Sequence, residues 1–372
     1  MTEAKDQETI RKSAGAPASG SDGWTMPASY GDESGEYTAV RDAGAGLIDL
    51  SSRGQLVVSG SEAVQFLNGL ITNDMKTLEA GQWMPAVFPN VSGRLVASVR
   101  VIRLEDGLIG GKPDPIFLID TETATHDVVL KTVKRFTLAG DFRVTDLSGE
   151  LALLSLQGKD AARMIRELFG AVADIAKHQA TQISWAGNKA TVVRATHTAE
   201  NGFDVFVEAQ QRQRLWQMML EAGGRPVGFN VFEVLRIEAG QPRFGIDMDE
   251  TNVVSETSLD DAVSYTKGCY IGQEIIARIK YRGHVAKKLS GIIFESSHDV
   301  HRGASLLSHE DKEIGRLTSV TFSPRLNRTV ALGYLKYDYL APGTNIKALT
   351  DENQVAGTVT ELPFIRGSWY EK

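Results

Sequence analysis

The order of strand-like and helix-like segments constrains the fold of this chain more than any other feature. Between about residues 45 and 222, short strand patterns are interleaved with amphipathic helical stretches, and this mixture occurs twice. After Gly283 the helical patterns almost disappear, and strand patterns separated by Gly, Pro and Asn turns follow. We therefore predict an α+β fold with two similar halves, each an open sheet with helices on one face, and a C-terminal antiparallel β-barrel.

The predicted domain boundaries follow from these patterns. Residues 1–36 are rich in Ala, Gly, Ser and charged residues, with little apolar periodicity, which predicts a disordered N-terminal arm. The two α+β halves are expected at about 37–148 and 149–283. The β-barrel is expected at 284–372.

Charge and cysteine content exclude several classes of protein. The chain carries 40 Lys+Arg against 47 Asp+Glu, a net charge of −7, which disfavours direct nucleic-acid binding. Cys269 is the only cysteine, so an internal disulfide framework and a multi-cysteine zinc site are excluded. No apolar run is long enough to span a bilayer, and no signal pattern opens the chain. These features predict a cytoplasmic protein without a membrane partner.

Several common catalytic motifs are also missing. The sequence has no Gly-Lys-Ser/Thr phosphate loop, no Gly-x-Gly-x-x-Gly after a strand and no Gly-x-Ser-x-Gly turn. ATPases, nicotinamide-dependent dehydrogenases and serine hydrolases are therefore not predicted. The histidines are scattered, and no metal site is expected.

The segment around Cys269 carries the strongest chemical signal. A thiol just before a predicted helix N-terminus and beside Lys267 favours the thiolate, which is the better nucleophile and metal ligand. The alternative is a buried cysteine that acts as a small apolar residue. The motif reads Lys267-Gly268-Cys269-Tyr270-Ile271-Gly272-Gln273-Glu274 and runs on to Ala277-Arg278, with the helix expected from Gln273 onward.

This motif resembles the signature of the YgfZ family of folate-binding proteins, within the superfamily of the glycine-cleavage T-protein. The resemblance implies that the two ferredoxin-like α+β halves and the barrel form a ring around a central channel that holds tetrahydrofolate. Weaker similarities extend it from about Gly46 to Phe364, at residues 46–51, 66–74, 198–204, 235–240, 315–319 and 331–334.

The resemblance also implies which residues bind the cofactor. Asp204 stands where the glycine-cleaving enzyme uses a Glu to pair with the donor edge of the pterin. Phe232 stands in place of an Arg, and its ring could stack on the pterin or simply belong to the core. Asn73, Asp74 and Glu200 are further candidates, although turn and capping chemistry also explains the first two.

One departure from the enzyme bears directly on catalysis. The enzyme carries its catalytic Asp in a Gly-x-x-x-Asp-Asp pattern, and the matching stretch here is 93–98. Ala97 and Ser98 occupy the two acidic positions, and neither can act as a carboxylate base. Glycine-cleavage aminomethyltransferase activity by that route is therefore not expected.

Three functions are compatible with the sequence. The first is a tetrahydrofolate-binding protein that assists assembly or repair of iron–sulfur clusters in client enzymes, including enzymes that modify tRNA. Cys269 would bind cluster iron transiently or attack a client disulfide, with Lys267 lowering its pKa. The second is a folate-dependent aminomethyltransferase or demethylase acting on a small amine, with Asp74 or Asp204 as base. The third is a folate-gated adaptor in which Cys269 is dispensable.

A basic run follows the cysteine motif and contrasts with the acidic chain. It predicts either a solvated helix end or a site for the glutamate tail of folate or for an acidic partner surface. Folate and iron–sulfur client or carrier proteins are the expected partners. The run consists of Arg278, Lys280, Arg282, His284, Lys287 and Lys288.

Overall fold

The computed structural model describes residues 26–109, 112–138, 140–295, 300–350 and 353–371. No helix in these ranges is long and apolar enough to cross a membrane. The helices are α1 (Glu33–Arg41), α2 (Ala63–Leu70), α3 (His126–Lys134), α4 (Ala161–Phe169), α5 (Arg212–Glu221), α6 (Phe229–Glu238) and α7 (Gln273–Arg282). The strands are β1 (Gly46–Asp49), β2 (Gly54–Ser59), β3 (Gln82–Pro89), β4 (Leu95–Arg103), β5 (Gly107–Ile109), β6 (Lys112–Asp114), β7 (Ile116–Thr121), β8 (Arg143–Asp146), β9 (Leu151–Gln157), β10 (Ala180–Trp185), β11 (Asn188–Arg194), β12 (Gly202–Glu208), β13 (Arg225–Pro226), β14 (Lys287–Phe294), β15 (Ser305–Leu307), β16 (Glu313–Ser323), β17 (Arg328–Lys336), β18 (Asn345–Leu349) and β19 (Gln354–Thr360).

Residues 26–36 are folded, which corrects the predicted extent of the N-terminal arm. The carbonyl oxygen of Pro27 accepts a hydrogen bond of 2.8 Å from the backbone N–H of Phe229. The carboxylate of Asp32 caps α1 by accepting from the N–H of Gly35 at 3.0 Å. Backbone pairing and capping therefore order this segment despite its polar composition. Residues 1–25 of the predicted arm lie outside the described residues.

The chain divides into two compact units. The first consists of Met1–Gln55, Leu147–Leu235 and Arg366–Lys372. Its six-stranded sheet has the order β10-β11-β12-β9-β1-β13 and is antiparallel except for the β1–β13 pair. One face of this sheet packs its apolar side chains against α4 and α5.

The second unit consists of Leu56–Asp146 and Arg236–Ile365. Its five-stranded sheet has the order β3-β4-β7-β2-β8 and packs against α2 and α3. Strands β14 to β19 form a closed barrel in the order β14-β17-β16-β15-β18-β19. The sheets and the barrel confirm the predicted α+β class with a C-terminal antiparallel barrel.

The units do not follow the predicted domain order along the chain. Strand β1 pairs with β9, Gly46 lying opposite Gln157, so the beginning of the predicted first half joins the sheet of the second half. Sheet pairing between distant segments produces this division, and no local sequence pattern encodes it.

Candidate functional site

A buried polar face of the first unit's sheet carries Asp204. Along β12, Phe203 and Val205 belong to the apolar cluster beneath α4 and α5. Because successive side chains of a strand alternate between faces, Asp204 points to the opposite side, together with Ser155 and Gln157 of the paired strand β9. These three polar residues are fully buried. Buried polar groups need hydrogen-bond partners, so this face is held by a network of specific contacts.

Asp204 forms a pair with His197. The imidazole Nε2 lies 3.1 Å from Oδ1 and 2.9 Å from Oδ2 of the carboxylate. The Asp204 side chain is 0% exposed, whereas that of His197 is 17% exposed. An ionised carboxylate only accepts, so the geometry assigns the proton to Nε2 and leaves Nδ1 as an acceptor. Nδ1 has no hydrogen-bond partner among the residues that the structure describes.

The loop between β11 and β12 fixes the position of His197. The backbone N–H of His197 donates to Oε1 of Gln157 at 3.0 Å. The same Gln157 side chain donates through Nε2 to the hydroxyl of Ser155 at 2.9 Å. Ala199 adopts a φ of +66°, in the left-handed region that a non-glycine residue occupies at a cost of about 1 kcal/mol. The surrounding contacts therefore hold this loop in one strained conformation.

Phe232 contacts the imidazole from α6. The two rings meet edge to face with their centroids 6.3 Å apart. The expected Arg is thus replaced by an apolar ring that packs on His197, and the stacking of Phe232 on a pterin stays a prediction.

Glu200 makes structural contacts, and its predicted role in cofactor binding stays a prediction. It is 2% exposed, and its Oε1 accepts from Nη1 of Arg41 at 3.0 Å. Its Oε2 accepts from the backbone N–H and the hydroxyl of Ser368, at 2.8 and 2.6 Å. Both carboxylate oxygens are therefore used to fasten the C-terminal segment and α1 to the first unit.

Asn73 and Asp74 lie in the second unit and form a turn. The side-chain amide of Asn73 donates to the carbonyl oxygens of Pro85 and Asp261, at 2.9 and 3.1 Å. Its Oδ1 accepts from the N–H of Asp74 at 2.9 Å, and Oδ1 of Asp74 accepts from the N–H of Lys76 at 3.0 Å. These contacts favour turn chemistry over the predicted cofactor contact for both residues.

The positions of the enzyme's two acids lie on β4 of the second unit. Ala97 is buried in the apolar cluster under α2 and α3, whereas Ser98 is half-buried on the other face. Two residues further along that face, Nε of Arg100 donates to Oδ2 of Asp120 at 2.7 Å. Because Asp120 is fully buried and ion-paired, it is a poor substitute for a catalytic base.

Lys267 is buried and binds backbone carbonyl oxygens. Its Nζ donates to the oxygens of Asn68, Ile71 and Asn73, at 2.7, 2.9 and 2.6 Å. These carbonyls lie at and after the C-terminus of α2, where a cation is favourable. Burial lowers the pKa of Lys267 to about 8. An ammonium has three donors, and the three carbonyl oxygens use all of them, so the predicted effect of Lys267 on the pKa of Cys269 stays a prediction.

Cys269 is exposed on the loop that Lys267 fastens. The next residue, Tyr270, is buried in an apolar cluster of the second unit. Gly272 adopts a φ of +77°, and a Cβ at this position would lie 2.4 Å from the carbonyl oxygen of Asn90. Helix α7 begins at Gln273, as predicted. The loop therefore presents the thiol to solvent while its two ends are fixed.

Members of the basic run have local partners. The ammonium of Lys280 lies 5.0 Å from the ring centroid of Tyr265. Lys288 pairs with Asp260 at 2.8 Å, and Arg278 is exposed on α7. The binding of a glutamate tail or of an acidic partner by this run stays a prediction.

The sequence analysis missed His197 and the glutamine beneath it. A usable signal was present, since His197 lies in the loop that directly precedes β12, and Asp204 is the third residue of that strand. A histidine placed close before a strand that carries an inward-facing carboxylate is a candidate for such a pair.

The residues on this face fit the donor edge of a pterin. A carboxylate is the group that accepts hydrogen bonds from the N–H donors of such an edge, and Asp204 supplies one on this face. Phe232 supplies no cation. The first unit alone thus provides recognition by acceptors, without the Arg that the resemblance implies.

Comparisons with known proteins agree with this description. The chain is similar to the aminomethyltransferase of Rubrobacter xylanophilus, with 31% identity over 348 residues, covering 92% of this chain and 89% of the relative. It is 28% identical to the aminomethyltransferase of Thermotoga petrophila, covering 93% of each chain. The crystal structure of glycine cleavage system aminomethyltransferase T from Bartonella henselae matches with a TM-score of 0.86 and 23% identity over 97% of each chain, which bears on the fold alone.

Two family models cover most of the chain. The GCVT N-terminal domain matches residues 8–267, and the glycine cleavage T-protein C-terminal barrel domain matches residues 287–365. The GCVT domain is a folate-binding domain, so the predicted tetrahydrofolate is confirmed at the level of the family. By these matches, and by the relative that is 31% identical over most of its length, the chain belongs to the glycine cleavage T-protein family.

Proposed function

We propose that this chain binds tetrahydrofolate and uses it in one-carbon transfer from a small amine, as an aminomethyltransferase or demethylase. The observation that carries this proposal is the pair of Asp204 and His197 on a buried polar sheet face. The family supports the same function, since the relatives described above are named aminomethyltransferases. The family matches support this function better than they support cluster repair.

Some residues of the chain would bind tetrahydrofolate, and others would position the group that transfers a proton. Tetrahydrofolate supplies the nitrogen that accepts the one-carbon unit. Asp204 binds N–H donors, and the fully buried Gln157 keeps the loop that carries His197 in place. Ala97 and Ser98 offer no carboxylate, and Oδ1 of Asp74 accepts within its own turn. The catalytic mechanism of this chain would therefore differ from that of the glycine-cleaving enzyme, which uses the aspartates of its Gly-x-x-x-Asp-Asp pattern.

The test combines binding and turnover. Calorimetry measures the affinity of tetrahydrofolate for the wild type, for Asp204→Asn and for Asp160→Asn, a control in the same unit whose side chain is 45% exposed. We expect at least a tenfold loss of affinity for Asp204→Asn, because an amide cannot replace both acceptor oxygens, and no loss for the control. Turnover is then followed with aminomethyl and N-methyl amines. A wild type that binds no tetrahydrofolate contradicts the proposal.

A second candidate function rests on Cys269. The exposed thiol on a fixed loop supports a role in assembling or repairing iron–sulfur clusters of cytoplasmic client enzymes, including tRNA-modifying ones. The motif's resemblance to the YgfZ family favours the same role. One thiol cannot hold a stable cluster, so a partner protein or glutathione would supply the remaining ligands.

The two candidates separate genetically. Cluster-dependent enzyme activity is measured after deletion of the gene and rescue with wild type, Cys269→Ser or Asp204→Ala. Loss of rescue by Cys269→Ser supports the thiol function. Full rescue by that variant leaves the thiol without a chemical role.

A further inference from the structure

We propose that His197 and Asp204 form an acid–base pair, in which Nδ1 of His197 accepts and returns the proton that moves during one-carbon transfer. This inference rests on the proposed function and names the group that performs its proton transfer. It assigns a catalytic role to a histidine that the sequence analysis did not select.

The geometry meets the requirements of such a pair. Both oxygens of Asp204 lie within 3.1 Å of Nε2, so the carboxylate fixes the tautomer that presents Nδ1 as a base. The carboxylate is 0% exposed, and a fully buried negative charge stabilises the imidazolium that forms when Nδ1 takes a proton. The 17% exposure of the His197 side chain leaves the ring within reach of a ligand.

The surroundings of the ring add no competing titration. Gln157 from β9 contacts the backbone of His197, and Phe232 from α6 contacts the ring edge. Neither of these residues titrates. Among the described residues, Asp204 from β12 is the ionisable group in hydrogen-bond contact with the imidazole.

Transfer of a proton needs a base, and the carboxylates of the other candidate bases already have partners. Asp120 is ion-paired with Arg100, and Asp74 accepts within its turn. Nδ1 of His197 would take the proton that the accepting nitrogen gives up as that nitrogen bonds to the one-carbon unit. The electron pair of the breaking carbon–nitrogen bond would stay on the leaving amine, and Nδ1 would return the proton to that amine. Protons and electrons balance, and no oxidant or further reactant is required.

The test compares His197→Gln with the wild type and with His178→Gln, an exposed control in the same unit. The glutamine amide can still donate to Asp204 but cannot act as a base. We expect tetrahydrofolate affinity within threefold of the wild type, kcat lowered about 100-fold or more, and no effect in the control. In wild type, the rising limb of kcat against pH should follow the titration of the His197 imidazole seen by nitrogen NMR. That resonance should shift in Asp204→Asn without substrate.

The outcomes separate this inference from the function on which it rests. If the wild type binds tetrahydrofolate and turns over while His197→Gln keeps its kcat within threefold, the acid–base role is wrong and the proposed function survives. The wild-type measurement gives a second test that does not depend on the folding of the variant. If the rising part of the kcat–pH profile does not follow the His197 resonance, the acid–base role of His197 is wrong. A wild type that binds no tetrahydrofolate overturns both.

Discussion

Replacement of Lys267 by Met tests whether one buried ammonium holds the cysteine loop. The substitution keeps an unbranched side chain but removes the donor of three hydrogen bonds, at 2.6 to 2.9 Å, to carbonyl oxygens of Asn68, Ile71 and Asn73. Hydrogen bonds to a charged group contribute about 1.5–3 kcal/mol each, and the cost of burying the charge offsets part of their sum. We expect the free energy of unfolding to fall by about 3 kcal/mol.

The pH dependence of this loss gives a second, independent measurement. Burial lowers the pKa of Lys267 from 10.5 to about 8. Between these values the unfolded chain keeps a proton that the folded chain has released, so the free energy of unfolding rises with pH. Lys267→Met lacks this rise. The difference between wild type and variant should therefore widen from pH 8 to pH 10.

Urea unfolding at several pH values measures both effects. The control is Lys280→Met on α7, whose exposed ammonium lies 5.0 Å from the Tyr265 ring centroid and contributes about 1 kcal/mol or less. If Lys267→Met costs no more than Lys280→Met, the carbonyl contacts do not stabilise the fold as described. If the cost of Lys267→Met stays constant with pH, burial does not lower the pKa of Lys267.

Four further substitutions test the geometry of the two units. Gly272→Ala should lower the free energy of unfolding by about 2 kcal/mol, since a Cβ would lie 2.4 Å from a backbone oxygen at a φ of +77°. Gly268→Ala, with no atom within 4 Å of the added Cβ, should lower the free energy of unfolding by less than about 1 kcal/mol. Equal urea midpoints for Gly272→Ala and Gly268→Ala would contradict the backbone conformation described at Gly272. Arg41→Met leaves the buried carboxylate of Glu200 without its ion pair, so the free energy of unfolding in urea should fall by about 3 kcal/mol. A decrease below about 1 kcal/mol would contradict the stabilising role of this ion pair. Cys269→Ser should change the unfolding free energy by less than about 0.5 kcal/mol and abolish rapid labelling by a thiol reagent. Slow labelling of the wild type would show that the thiol is not exposed.

Local sequence patterns predicted much of the secondary structure. The residue pattern of His126–Lys134 by itself predicts a helix and that of Gly202–Glu208 a strand, and these segments coincide with α3 and β12 at both ends. Periodicity determines such segments because it depends on neighbouring residues alone. The short strands β15 and β18 and the helix α6 were not predicted, since three to ten residues of mixed character give a weak periodic signal.

Side-chain roles within the candidate site were harder to predict. Asp204 was selected from the family resemblance, and its pairing with His197 depends on a loop conformation that the strand pattern does not describe. Glu200 carries the same charge and lies four residues away, yet both its oxygens bind Arg41 and Ser368. The chemistry of a carboxylate is therefore set by its partners and not by its residue type.

The sequence alone determined the fold class, the barrel and membership of the T-protein superfamily, because these depend on repeated local patterns and on long motifs. Tertiary structure alone decided which partners each polar side chain binds. Lys267 illustrates the reason, since the carbonyl oxygens it binds lie 194 to 199 residues away along the chain. Hydrogen bonding and burial act between groups that are close in space, and sequence separation says little about that distance.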